Sequence, residues 1–175
     1  MSAGLHRFTV LQRLLHWVMA VCVLAMLFIG VGMESTVMPK YLTLVSIHKP
    51  LGITILVLAL IRLVVRWRDG APALPADLPE PIRLAAHGTH YALYALMIAM
   101  PLIGWAMLSA ADFPVFVGGF RLPAILAPDA AVHARLREWH TYLAFAFFAI
   151  ILMHLAAALF HGLIRKDGVF RSMAP

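Results

Sequence analysis

Four stretches of the chain are long, apolar and nearly free of charge, and they are separated by segments where Pro, Gly and charged residues gather. They run over about residues 10–33, 41–66, 84–110 and 139–164. Each meets the need of a bilayer-crossing helix for roughly 20 predominantly apolar residues at 1.5 Å rise apiece. The first is uncharged from Leu14 to Met33, and the second carries Lys49 near its start and Arg62 near its end. The third is uncharged and holds Pro101, which should bend it because proline removes a backbone donor inside a helix. A cleaved leader is a poor reading of the first stretch, which is long for such a segment and shows no small-residue cleavage site.

The first connection, Glu34–Lys40, is short, and the second, from Trp67 to Pro81, is rich in proline. The third, Asp112 to Glu138, is the unusual one: it contains Gly118, Gly119 and several prolines, then an Asp129-led stretch that reads as a capped helix start running into the fourth span. Its length suggests a functional loop, and its apolar content predicts that it packs on the mouth of the bundle. The expected fold is therefore all-α, a transmembrane four-helix bundle, with residues 1–175 forming one integral membrane domain.

Composition supports this reading. The 175 residues are 63% apolar and 13% charged, against about 45–50% and about 25% in soluble domains, so a water-soluble enzyme is excluded and disorder with it. Cys22 is the single cysteine, which rules out an intrachain disulfide and a cysteine-only metal site. The net charge of +6 is explained by topology. Arg7, Arg13, Arg62, Arg66, Arg68, Arg83, Arg165, Lys166 and Arg171 fall on the side of the termini, whereas Lys40, Lys49, Arg121, Arg135 and Arg137 fall on the other. By the positive-inside rule both termini are expected in the cytoplasm. No nucleic-acid motif accompanies the charge.

The candidate chemistry lies in the nine histidines, because a polar side chain inside a bilayer usually faces the bundle interior and marks a cofactor, relay or pathway. His16 lies nine residues past Arg7, and His154 eleven before Arg165. On the other side His48 lies nine past Pro39, and His140 eleven past Asp129. The histidines thus match in depth as two pairs, His16 with His154 and His48 with His140. His140 and His154 are fourteen apart, which on a helix is about 21 Å of rise and within roughly 40° of one face. Fourteen residues beyond His48 stands Arg62, and fourteen beyond His16 stands Gly30, a guanidinium for a propionate and a clearance for a flat ring. Gly52, one turn after His48, could serve the same clearance. The simplest object that wants two facing imidazoles inside an apolar bundle, twice, is a pair of bis-histidine haem b groups.

Each residue has a plainer reading beside this one. A lone histidine in a span is more often a hydrogen-bonded structural residue than a ligand; the set of four at paired depths carries the argument. Arg13 and Arg62 are candidates for propionates, against snorkelling to the headgroups. His87 and His90, at i and i+3 near the terminal side of the third span, are further cofactor-site candidates as substitute ligands, propionate partners or quinone-site proton donors, against simple interfacial hydration. His6, His133 and His161 read as surface residues. Gly30, Gly32, Gly52 and Gly104 could do no more than let helices pack.

The residues Arg13-Leu-Leu-His16-Trp17, Ile47-His48 followed by Gly52, Arg62-Leu-Val-Val-Arg66, His87-Gly-Thr-His90-Tyr-Ala-Leu-Tyr94, Pro101-Leu-Ile-Gly104, Glu138-Trp-His140 and His154-Leu-Ala-Ala-Ala158 together resemble the bacterial cytochrome b561 family. The resemblance spans nearly the whole chain and rests on the order and spacing of these motifs. It implies a four-helix membrane protein of the bacterial inner membrane with two haem b groups, passing electrons between haem and ubiquinone. It also implies a reaction that at least one kind of member performs, oxidation of superoxide at the outer surface coupled to quinone reduction. An alternative of the same build is a cytochrome b anchor subunit relaying electrons between a hydrogenase or dehydrogenase partner and quinone. A rival from another class, a haem-free proton or cation relay, would use the same histidines along a wet path.

Overall fold

The structure is a computed structural model and describes residues 7–37 and 39–175; His6 lies outside the described residues. Its long helices are α1 (Val10–Glu34), α2 (Lys40–Asp69), α3 (Glu80–Ala110) and α4 (Ala130–Leu159), the last continuing as a π-helical turn, Phe160–Arg165. All four are long and apolar enough to cross a membrane, so the all-α class expected from the sequence holds. A two-stranded hairpin, β1 (Phe116–Val117) with β2 (Phe120–Arg121), and a short helix α5 (Val169–Met173) complete the architecture.

Local chemistry sets the helix ends. Thr9 caps α1 reciprocally with Gln12: its hydroxyl accepts from the Gln12 N–H, and the Gln12 carboxamide accepts from the Thr9 N–H. The Gln12 amide then donates to the Gly70 carbonyl at 2.8 Å, tying the start of α1 to the end of α2. Asp129 caps α4 by accepting from the Ala131 and Val132 N–H groups, as the sequence predicts, and these bonds hold its carboxyl below the usual carboxylate range. The helices run past the expected spans: α2 takes in Trp67 to Asp69, α3 starts at Glu80 beside Pro79 and Pro81, and α4 starts before Trp139. Hydropathy marks the part of a helix that sits in lipid, while charged residues extend the same helix into the interface.

Successive helices pack side by side, α1 on α2, α2 on α3 and α3 on α4. The central apolar cluster is Val23, Ile55 and Phe147, surrounded by Met26, Leu51, Leu93 and Ile151. Val23 lies seven residues from His16, Ile55 seven from His48, and Phe147 seven from both His140 and His154. Seven residues are about 10 Å of helix, so the apolar layer divides the bundle midway between two levels of histidine.

Beyond the π-helical turn the chain reverses at Lys166, in the left-handed region with φ of 52°, and α5 returns beneath the start of α1. There the Phe8 N–H donates to the Ser172 carbonyl, the Trp17 indole N–H to Met173, and the Arg7 and Arg13 guanidinium groups to Ala174. Asp167 accepts from the His161 ring Nδ1, from Arg165 Nε and from the Val169 N–H. Arg165 also pairs with Asp77 at 2.6 Å. His161, expected at the surface, is instead 13% exposed and hydrogen-bonded to Asp167, because the tail folds back over it. His133 is likewise half-buried, its Nδ1 donating to the Met107 carbonyl at 2.9 Å.

Candidate functional site

At the level nearer the termini, α1 presents His16 and α4 presents His154, with ring centres 6.3 Å apart and planes at 77°. At the far level α2 presents His48 and α4 presents His140, 6.2 Å apart and at 65°. Both pairings expected from depth are therefore brought together. An imidazole nitrogen binds a first-row metal at about 2 Å and its ring centre lies about 1 Å further back, so two rings on opposite sides of one metal have centres about 6 Å apart. The observed separations would suit one metal held between the two rings of each pair. No three His, Cys, Asp or Glu side chains among the described residues converge as a bare metal site would require, which favours paired axial donors.

A second observation concerns the far level. A structural histidine in a core satisfies its ring nitrogens with protein partners. The Nδ1 atoms of His48 and His140 are buried and find none among the described residues. The donor set thus fits haem b, two imidazoles at each of two levels in an apolar bundle.

The neighbours of the two levels differ. Near the termini, His90 stands edge-on to His154 with ring centres 5.4 Å apart. Its Nδ1 lies 2.7 Å from the Ala86 carbonyl; a carbonyl only accepts, so Nδ1 carries the hydrogen and the neutral ring keeps an open acceptor at Nε2. His87 is exposed. Arg62 Nε donates to the Tyr94 hydroxyl at 3.0 Å, and its charge is within electrostatic reach of His16, His90 and His154. Arg13 turns toward the tail, its Nη1 donating to the Ala174 carbonyl at 2.9 Å, while its Nε is buried without a partner among the described residues. At the far level, Lys49 reaches up to the Pro114 carbonyl at 3.5 Å.

The glycines divide by what surrounds them. A Cβ on Gly30 would meet nothing within 4 Å, and one on Gly52 would touch only Met26 at 3.7 Å. A Cβ on Gly32 would press on Leu44 at 3.1 Å, the close approach of α1 and α2. Gly104 is the position that sequence reasoning undervalued. A Cβ there would stand 3.3 Å from His140 Cε1 and 3.7 Å from its Nδ1, so the missing side chain on α3 is what seats the far histidine of α4. The signal available in the sequence was that Gly104 lies one turn from the α3 proline, with nothing to say which helix it faces.

Comparison with known proteins shows the family. A family model described as prokaryotic cytochrome b561 matches residues 7–175. Cytochrome b561 homolog 1 of Escherichia coli strain K12 is 28% identical over 98% of this chain and 98% of its own. Homolog 2 of the same organism is 33% identical over 95% of this chain and 90% of its own. The probable superoxide oxidase CybB of Yersinia pestis is 32% identical over 74% of this chain and 73% of its own.

Proposed function

The chain belongs to the prokaryotic cytochrome b561 family, a multi-pass membrane electron-transfer protein, and from that premise we propose that it oxidises superoxide at its far face and reduces ubiquinone through two b-type haems. The observation that carries the reading is the pair of imidazole separations, 6.3 Å and 6.2 Å, one at each level of the bundle. In this reading His16 and His154 hold one haem and His48 and His140 the other. When bound, each haem supplies a one-electron store, so that single electrons from the donor can be gathered for a two-electron acceptor.

The protein's own residues account for the rest. The layer of Val23, Ile55 and Phe147 keeps water out between the levels, and an apolar, dry setting is one of the means by which a protein sets a redox potential. Lys40, Lys49, Arg121, Arg135 and Arg137 stand at the far end beside Glu34, Asp112, Asp129 and Glu138, a small excess of positive charge; where those cations cluster at the far histidines, their field would raise encounter rates with a small anion such as superoxide. Each superoxide gives up one electron and leaves as dioxygen; two such electrons and two protons convert one quinone to quinol. Near the termini His90, with its open Nε2, and Tyr94, held by Arg62, are the proposed groups for moving those protons, with His87 and Tyr91 exposed beside them. Arg62 and the unpartnered Nε of Arg13 are the cations offered to the haem propionates. Placement of both termini in the cytoplasm, with the protein in the bacterial inner membrane, follows from the Lys and Arg bias between the two ends. The relative named as a probable superoxide oxidase supports the choice of donor.

The test is purified, haem-loaded protein given a steady source of superoxide with and without a soluble ubiquinone. The proposal expects quinone-dependent loss of superoxide, one quinol formed for every two superoxide ions consumed. Quinol formation at the uncatalysed rate would overturn the choice of donor.

A further inference from the structure

The connection between α3 and α4 breaks the usual rule for loops, which are polar because their backbone and side chains meet water. From Phe113 to Pro128 the sole side chain that carries charge or a hydrogen-bonding group is Arg121. The remainder is Phe, Val, Leu, Ile, Ala, Pro and Gly. Only part of this apolar surface is used inside the protein. Val115 is buried at 4% exposure, while Phe113, Phe116 and Phe120 are exposed to 59%, 50% and 69%, with Ile125 and Leu126 also open.

The hairpin is built, and the segment that leaves it is tied to α3. Phe116 pairs with Arg121 and Val117 with Phe120, across a two-residue turn in which Gly118 and Gly119 both have positive φ, 55° and 83°, as a tight hairpin matching strand twist requires. The two partners of a pair share a face of the ribbon, so Phe116 and Arg121 lie on one face and Phe120 on the other. The segment does not stand up from the bundle. The Trp105 indole N–H donates to the Pro123 carbonyl at 3.0 Å, the Ile125 N–H to the Ser109 hydroxyl at 3.2 Å, and the Asp129 N–H to the Ala110 carbonyl at 2.9 Å. Trp105 lies five residues before the last residue of α3, so the return strand reaches down the side of that helix by more than a turn, continuous with its apolar exterior.

We propose that this hairpin is a membrane-embedded element: Phe116 and Phe120 sit at the boundary between headgroups and acyl chains of the leaflet opposite the termini, with Arg121 on the lipid phosphates. Aromatic side chains favour that level of the bilayer, and a cation among them meets the anionic headgroups. The same placement keeps the loop flat against the rim of the far histidine level, where β1 packs against α2.

The test uses the full chain in proteoliposomes in a Cys22→Ala background, with a nitroxide attached at Phe116→Cys or Phe120→Cys, both exposed positions. Two calibration sites are Leu152→Cys on the apolar exterior of α4 and Arg135→Cys on its first turns. Collision of the label with oxygen reports lipid, and collision with a water-soluble nickel chelate reports solvent. The proposal expects the hairpin labels to show an oxygen-to-nickel ratio above that of Arg135 and below that of Leu152, with no dipolar broadening. A ratio matching Arg135 would overturn it, and so would broadening between labels, which would assign the exposed aromatic side chains to contacts with a second copy of the chain. Circular dichroism of each labelled variant keeps a misfolded one out of the comparison.

Discussion

Gly104→Ala adds one methyl group to the face of α3 that seats His140. In a helix interior, exchanging glycine for alanine gains about 0.5–1 kcal/mol through the backbone. Against this, the new Cβ would stand 3.3 Å from His140 Cε1, so either the ring or the helix must give by a few tenths of an ångström. Overpacking of a well-filled site costs about 1–3 kcal/mol, and a single methyl against one ring edge belongs at the low end. The two effects nearly cancel in overall stability. They do not cancel at the far level, because His140 is the group that moves and its separation from His48 is 6.2 Å. Disturbing the support of a metal-ligating histidine typically weakens metal binding 10–100-fold, about 1.4–2.8 kcal/mol. The expected result is a helical content and melting midpoint close to the parent, with one of two haems lost about 10–100-fold more readily to a haem-scavenging protein. Gly88→Ala is the control, since a Cβ there meets nothing within 4 Å, and it should gain stability without altering haem retention. If Gly104→Ala gains as much stability as Gly88→Ala and releases both haems at the parent rate, the argument that this glycine seats His140 is refuted.

Three further predictions follow from the same geometry. His16→Ala and His48→Ala should each retain about half the haem of the parent, the double variant none, as read by haem content per chain; loss of all haem in either single variant would mean that the levels do not load independently. Tyr94→Phe removes the hydroxyl that accepts from Arg62 Nε and should cost about 1 kcal/mol and lower the melting midpoint by about 2–4 °C; an unchanged midpoint would show that the contact contributes nothing. Burial pushes the Asp167 carboxyl upward, but bonds from His161, the Val169 N–H and Arg165 outweigh it and hold the group below the usual range. Its stabilising contribution is therefore full above about pH 4 and lost as pH falls through the depressed folded value. The protection of α5 amides, taken relative to the intrinsic exchange rate at each pH, should fall on acidification below about pH 4 and at neutral pH in Asp167→Asn; protection insensitive to both would contradict the assigned role.

Much of the bundle was legible in the sequence because lipid imposes a simple rule, and four long apolar stretches obey it. The pairing of His16 with His154 and of His48 with His140 was legible for a related reason, since rise per residue converts sequence distance from the span ends into depth. Depth does not convert into neighbours. Arg13 read as a candidate for a propionate, but its Nη1 is taken by the Ala174 carbonyl, a partner 161 residues away. His161 read as a surface residue because nothing local announces the reversal at Lys166 that brings Asp167 against it. Gly104 read as a packing glycine because the face it offers is fixed by the approach of α4. The α3–α4 connection was expected to pack on the bundle mouth; Val115 and β1 do, while Phe116 and Phe120 face outward.

The most direct measurement is the haem b content of the purified chain, by pyridine haemochrome against protein concentration, together with the reduced and oxidised spectra. The account predicts two haems per chain, both low-spin with bis-imidazole ligation, one for each pair of facing rings. One haem or none, after expression with an adequate haem supply, would contradict it.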